Sequence, residues 1–293
     1  MIAVDWGTSS LRAYRLSEDG GVMARTAAPL GISTVRDGAF ADALDSQIDP
    51  WLKDGESLVL MSGMIGSRQG WVEAPYCDCP AGFAQIALQV QAVPWARARA
   101  FITPGVRGMD RSGVPDVMRG EEMQILGALD ALPEESGLVC LPGTHSKWVR
   151  VRSGQITGFA THMTGEVFAL LKQHSLLGRM MREGPTEFSA FRAGLQRSSQ
   201  EEGLLHHLFG VRSQGLFGQL DESRSASYLS GLLIGHEFQS ALSDAAPNRV
   251  YLLGATDLVR LYLSACEEFG IAAVVLDPES AVRGLHRLSR ELS

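Results

Sequence analysis

Ile2-Ala3-Val4-Asp5-Trp6-Gly7-Thr8-Ser9-Ser10 opens the chain, and Leu138-Val139-Cys140-Leu141-Pro142-Gly143-Thr144-His145-Ser146-Lys147 repeats its plan in the middle. Each stretch is an apolar run that ends in a Gly-Thr turn. Each continues into a second apolar segment (Leu11 to Leu16; Trp148 to Val151), a glycine turn (Asp19-Gly20-Gly21; Ser153-Gly154) and a third segment (Val22 to Thr26; Ile156 to Thr161). The pattern predicts strand, tight loop, strand, turn, strand, twice over. Glycine lets the backbone turn closely and expose N–H donors in an anion-binding nest. Hydroxyls of Thr and Ser add donors of their own. Gly7, Thr8, Ser9 and Ser10 in the first loop, with Gly143, Thr144, His145, Ser146 and Lys147 in the second, are therefore candidate phosphate ligands. One loop alone would be an ordinary hairpin; two at matched offsets predict a nucleotide triphosphate gripped from both sides of a cleft.

The bulk properties narrow the partners. At 293 residues the chain has room for about two domains. It is 45% hydrophobic and 20% charged, the balance of a protein with substantial cores. A net charge of −7 gives nucleic acid and anionic membranes no electrostatic help. A polyanionic small molecule must then be met by local donors and a metal. No apolar run approaches the roughly 20 residues that span a bilayer, and Asp5 interrupts the first one, which argues against a secretory leader. A cytoplasmic enzyme is the expectation, with a homodimer allowed. Cys77, Cys79, Cys140 and Cys266 lack the spacing of a zinc site and read as reduced thiols.

Between and after the repeats the chain alternates helix and strand. Phe40, Leu44, Ile48 and Trp51 mark an amphipathic helix, and Leu58-Val59-Leu60-Met61 and Ala100-Phe101-Ile102-Thr103 are strands. Residues 71–82 and 104–116, rich in Pro, Gly and charge, read as loops over an active site. Met118, Glu122, Ile125, Leu126, Leu129 and Leu132 follow a helical period, broken only by Glu122. Helices are expected at 164–177, 187–208 and 225–243. The last carries Ser227, Ser230, Gly231 and Gly235, small enough for close helix contact. Arg249 to Gly254 is a strand leading into a helix that Thr256 or Asp257 would cap, and Ala272 to Leu276 and a helix around Val282, Leu285, Leu288 and Leu292 close the chain. The class is α/β with the repeated unit opening each of two domains, 1–116 and 117–293.

A few side chains are placed for chemistry. Asp5 leaves the first strand where a hard oxygen ligand for Mg2+ is wanted; it has no acidic counterpart at Leu141. Lys147 could reach a phosphate as a point charge. Glu121 lies in Arg119-Gly120-Glu121-Glu122, where a carboxylate could accept the proton of an attacking hydroxyl. Glu122 sits on the apolar stripe and is expected to pack inward or make a buried ion pair, and Asp116 is the fallback base. Arg68, Arg107 and Arg119 occupy glycine-containing loops, and any of them could fork onto a substrate carboxylate. Gln69, Trp71, Glu73 and Tyr76 surround Arg68 and could form a sugar-binding wall.

The two phosphate loops, together with Leu252-Leu253-Gly254-Ala255-Thr256-Asp257 as an adenosine segment, resemble the acetate and sugar kinase, Hsp70 and actin superfamily. More narrowly, the chain resembles the 2-dehydro-3-deoxygalactonokinase family. The matching stretches are Ile2 to Tyr14, Gly63-Met64-Ile65-Gly66-Ser67-Arg68-Gln69-Gly70-Trp71, Arg119-Gly120-Glu121-Glu122, Leu141 to Trp148 and Met163-Thr164-Gly165-Glu166. The resemblance implies two RNase H-like, actin-like ATPase domains that close on a nucleotide cleft, with Gly254 and Ala255 near the adenosine. It implies phosphorylation of the terminal 6-hydroxyl of 2-dehydro-3-deoxy-D-galactonate by ATP with Mg2+, in galactonate catabolism. Two departures stand out: the base is Glu where related sugar kinases commonly carry Asp, and Gly254 is single where a glycine pair is usual. The alternatives are a kinase for another 2-keto-3-deoxy sugar acid or a sugar, and an actin- or Hsp70-like conformational ATPase. The latter lacks the long insertions such proteins use, and a sugar-responsive repressor would need a DNA-binding segment ahead of the first loop.

Overall fold

A computed structural model describes residues 1–110, 112–133, 136–243 and 247–292. The first repeat forms β1 (Ile2–Trp6), β2 (Leu11–Leu16) and β3 (Val22–Ala28), an antiparallel meander. Helix α1 (Phe40–Lys53) returns the chain to β4 (Leu58–Ser62), which pairs parallel with β1. The chain goes on through β5 (Tyr76–Asp78), α2 (Phe83–Ala87) and β6 (Gln91–Val93) to β7 (Arg99–Ile102), parallel to β4. The resulting six-stranded sheet has the order β3-β2-β1-β4-β7-β6. Alternation along β1 puts Ile2, Val4 and Trp6 into a core with Leu44 and Ile48 of α1.

The second repeat builds the same plan. Strands β10 (Ser136–Leu141), β11 (Ser146–Arg152) and β12 (Gln155–His162) are followed by helices and then β13 (Arg249–Leu252) and β14 (Ala272–Val275). This sheet has the order β12-β11-β10-β13-β14, with β13 parallel to both β10 and β14. Third, second, first, fourth is thus the strand order that both sheets share from the meander outward; beyond it the first sheet continues with β7 and β6 and the second with β14. The α/β class and the duplication expected from the sequence are both present.

Four helices precede β13: α4 (Thr164–His174), α5 (Phe188–Ser198), α6 (Gly203–Leu216) and α7 (Glu222–Ala241). The single helix expected over 187–208 is two, because Ser199 to Glu202 turn the chain and Glu202 adopts φ +88°. Helices α5 and α7 meet backbone to backbone, as the small residues of α7 predicted. A Cβ on Gly231 would lie 1.9 Å from the Phe191 carbonyl oxygen, so nothing larger fits. Helix α8 (Thr256–Glu268) starts after Ala255, which has no side-chain cap bond. Thr256 and Asp257 stand in its first turn and do not cap it.

Two further expectations are corrected. Residues 71–82 and 104–116 (of which 111 lies outside the described residues) are not only loops. They contribute β5, β8 (Gly105–Met109) and β9 (Pro115–Met118) to a three-stranded sheet of order β5-β8-β9. Cys77 and Val106 are buried there, so apolar residues hidden among Pro and Gly made a core. Met118 ends β9, and α3 (Glu121–Gly127) begins only after Gly120. The final helix is α9 (Ser280–Glu291).

Contacts divide the chain into two compact units, one of residues 1–137, 149–159 and 276–293, the other of 138–148 and 160–275. They do not follow the single cut at 116/117: α3 and α9 both belong to the first unit. All four cysteines are free thiols. No helix among the described residues is long and apolar enough to cross a membrane.

Candidate active site

In the first unit the candidate residues gather where the parallel strands β1, β4 and β7 end. Asp5 and Ser62 are register partners on β1 and β4. Thr103, just past β7, donates its N–H to the Met61 carbonyl. Carboxyl ends of parallel strands are where open α/β sheets bind ligands. Gly63 follows Ser62 with φ +101°, and its Cβ would sit 2.7 Å from the Trp6 carbonyl oxygen. Its α-carbon is 3.1 Å from where a Cβ on Gly120 would stand, and Gly120 has φ +106°. Two glycines at positive φ thus let the first turn of α3 lie against the end of β4.

That contact sets the two glutamates apart. Glu122 is fully buried. Its Oε2 accepts the Gly120 N–H at 2.6 Å, and Ser62 and Thr103 hydroxyls donate to Oε1 at 3.4 Å each. Among the described residues the ion pair expected for it is absent: only neutral groups hydrogen-bond its carboxyl. Burial, reinforced by the neighbouring Glu121, pushes its pKa up to about 8, against the opposing pull of the Gly120 N–H and Arg119. Glu121 is only half-buried, and its Oε2 accepts the Arg119 N–H at 3.0 Å. Asp116 lies within β9, where its Oδ1 accepts the Val117 N–H at 2.8 Å.

The first loop leaves Thr8 and Ser9 exposed. It is closed by the Gly7 N–H on the Ser10 carbonyl at 2.9 Å and anchored by Ser33, whose hydroxyl donates to the Thr8 carbonyl at 2.7 Å. Asp5 is half-buried, and desolvation raises its pKa despite Arg12, whose guanidinium is 3.4 Å away. A partly desolvated carboxylate gains from a nearby positive charge, and Arg12 supplies one through its hydrogen bond to Oδ2. No cluster of three or more His, Cys, Asp or Glu that could hold a metal occurs among the described residues. An ion at Asp5 would therefore complete its shell with phosphate oxygens and water, as Mg2+ ordinarily does.

The three arginines differ in commitment. Arg68 is exposed and paired with Glu73 at 3.0 Å. Arg107 forks onto Asp78, at 2.7 and 3.0 Å. Arg119 lies over the Tyr76 ring, 4.4 Å from its centroid, and donates to the Ala74 carbonyl at 2.7 Å, yet its buried Nε and Nη1 have no acceptor among the described residues. Of the expected sugar wall, Gln69 is exposed and Trp71 packs edge-on to Trp95 against the core.

In the second unit the loop is braced from below. Ser146 is buried, and its hydroxyl bonds the Tyr262 hydroxyl at 2.8 Å. Tyr262 donates to Glu237 Oε2 at 2.7 Å, so Ser146 must be the donor to Tyr262. Glu237, itself buried, also accepts Trp148 Nε1 at 2.7 Å and the Thr164 hydroxyl. Burial and the adjacent Glu237 hold the Tyr262 pKa well above its usual value. Sequence reading missed Glu237 and Tyr262; a carboxylate in the middle of the otherwise apolar run of α7 was the available signal. Lys147 is buried, with Nζ donating to the Thr161 hydroxyl at 2.8 Å, rather than solvated. His145 pairs with Glu166, and the Glu166 N–H donates to the Thr144 carbonyl at 3.0 Å. Gly254 lies against Pro142.

Beside this loop is a cavity of about 270 Å³. Gly143, Thr164 and Tyr262 border it at the loop, and Phe168, Leu233, Ile234, Leu258 and Leu261 supply apolar walls. Gly254 and Ala255 do not line it; the helix they introduce, α8, does.

Two consequences are measurable. Because the folded pKa of Glu122 is raised, its contribution to stability is complete below about 4.5 and is lost as pH climbs to about 8. The loss is on the order of several kcal/mol. Glu122→Gln does not titrate, so the Tm of the wild type minus that of the variant should fall steadily between pH 5 and 8.5. Parallel Tm curves would exclude a buried neutral acid. Tyr262→Phe keeps the ring beside the cavity but leaves Glu237 and Ser146 short of a partner, costing about 1–3 kcal/mol of stability. It should also weaken ADP binding, measured by calorimetry, by roughly tenfold. Lower stability with unchanged ADP affinity would mean that the network braces the fold and not the loop.

A family model described as 2-keto-3-deoxy-galactonokinase matches residues 5–288. The chain is 38% identical over 296 residues to a Rhizobium meliloti (strain 1021) protein named as a probable 2-dehydro-3-deoxygalactonokinase, spanning 99% of this chain and 96% of that one. It is 35% identical over 281 residues to the 2-dehydro-3-deoxygalactonokinase of Escherichia coli (strain K12), spanning 96% and 94%. A crystal structure of a Sinorhizobium meliloti protein provisionally given the same name superposes with a TM-score of 0.91 at 37% identity, covering 99% and 98% of the two chains. With the repeated loops, the acidic turn and the match all running through the same residues, the chain belongs to the 2-keto-3-deoxy-galactonokinase family.

Proposed function

We propose that the protein transfers the γ-phosphoryl group of ATP to the 6-hydroxyl of 2-dehydro-3-deoxy-D-galactonate, giving the 6-phosphate and ADP. The observation that carries the reading is the division of labour at the acidic turn, in a member of this family. One glutamate is fully buried, with its pKa pushed up to about 8, while its neighbour is only half-buried beside the strand ends. Glu121 is the group that accepts the proton of the attacking hydroxyl and orients it. Asp5 would hold Mg2+, which when bound supplies charge for the phosphates. In the first unit the backbone donors of Gly7 to Ser10, and in the second those of Gly143 to Ser146, are each suited to phosphate oxygens. The cavity next to Gly143 offers apolar walls to the adenosine.

Phosphoryl transfer asks the protein mainly for positioning. A sugar acid brings a carboxylate for that purpose, and the uncommitted buried donors of Arg119 suit it better than the paired guanidinia of Arg68 and Arg107. An orphaned buried donor is costly and calls for a partner.

The test is steady-state kinetics on Glu121→Gln. Loss of general-base help should lower kcat by about 10²–10⁴-fold, with KM for ATP and for the sugar acid little changed. A kcat within threefold of wild type would move the role to Asp116 or leave a reaction driven by positioning alone.

A further inference from the structure

Helix α6 is apolar on both sides. Leu204, Leu208 and Val211 face inward, packed with Tyr228, Leu229 and Leu232 of α7. On the other side Leu205 is 85% exposed, Phe209 62% and Leu216 60%, and Phe217, just past the helix, 81%. A helix that is apolar all round is ordinarily buried all round. The outward residues are also regularly spaced. Leu205, Phe209 and Leu216, with the half-buried Arg212 between the last two, follow steps of four, three and four, which holds them within about 60° of one another around the axis. That is the seam of a heptad repeat.

We propose that this seam is a homodimer interface in which α6 pairs antiparallel with α6 of a second copy. Two-fold symmetry about the middle of the seam places Leu205 against the partner's Leu216 and Phe209 against the partner's Arg212, each pairing occurring twice. Leucine meets leucine, and the guanidinium lies on the aromatic face, a cation–π contact. The seam is therefore complementary to itself, which is what an isologous contact requires. No like charges oppose each other along it, although the chain carries a net charge of −7. The exposed parts of Leu205, Phe209, Leu216 and Phe217 amount to on the order of 500 Å². That is more than half of the about 800 Å² that each partner buries in a stable complex, and helix ends and neighbouring turns supply the rest. The antiparallel arrangement also sets the helix dipoles head to tail.

Sedimentation equilibrium on the full chain tests this. The wild type should have twice the monomer mass of 31.6 kDa. Phe209→Glu should raise the dimer dissociation constant by about 30-fold or more and leave the far-UV circular dichroism unchanged. A wild-type monomer at about 100 µM, far above the Kd of a stable dimer, would overturn the proposal. So would a dimer that Phe209→Glu does not weaken. Should that variant fail to fold, cysteine pairing decides. Leu205→Cys with Leu216→Cys should give a covalent dimer on mild oxidation, while Leu205→Cys alone should not. Cross-linking by the single variant, or none by the double, would contradict the antiparallel register.

Discussion

Both halves of this molecule depend on a glutamate carboxyl group buried among neutral donors. Glu122 is met by one backbone N–H and two hydroxyls, and Glu237 by an indole, a phenol and a hydroxyl. A carboxyl group taken from water without a cation is stable only when its hydrogen bonds are well placed. The donors come from different elements, so satisfying the group fixes those elements together. Glu122 ties the start of α3 to the ends of β4 and β7. Glu237 ties α7 to α8, to the first turn of α4 and, through Tyr262 and Ser146, to the second Gly-Thr loop. Each buried glutamate thus sets a loop that the proposed chemistry uses.

The two groups resolve the cost of burial differently. Glu122 has Glu121 as its neighbour, and burial together with that neighbour pushes its pKa up to about 8, which favours the protonated carboxyl at neutral pH. Buried Glu122 and half-buried Glu121 are two consequences of one packing arrangement, because Gly63 and Gly120 bring the turn close enough to bury the second glutamate but not the first. Glu237 has three short donors and passes its influence outward through Tyr262. Asp5 and Glu121, each half-buried, are the carboxylates that the proposed chemistry would use.

Much of this was legible in the sequence. Strand, Gly-Thr turn and strand recurred with enough regularity to give both meanders, and the spacing of Phe40, Leu44 and Ile48 gave α1. The break in the stripe at Glu122 gave its burial, and Gly231 and Gly235 gave the close approach of α5 and α7. Illegible were contacts that depend on residues distant in the chain. The partners of Glu122, Ser62 and Thr103, lie 60 and 19 positions away. Tyr262 lies 116 positions from Ser146. The sheet of β5, β8 and β9 was hidden because short strands rich in Pro and Gly carry no period long enough to read. Three arginines in similar loops looked equivalent until Glu73 and Asp78 were seen to neutralise two of them.

The central claim is that this arrangement serves phosphoryl transfer to a sugar acid. The direct measurement is product analysis by mass spectrometry and phosphorus NMR after incubating the purified protein with MgATP and a panel of 2-keto-3-deoxy acids and plain sugars. The account predicts stoichiometric ADP and a single phosphomonoester at the 6-position of 2-dehydro-3-deoxy-D-galactonate, with plain sugars poor acceptors. ATP hydrolysis without any phosphorylated acceptor, or equal turnover of sugars that lack the carboxylate, would contradict it.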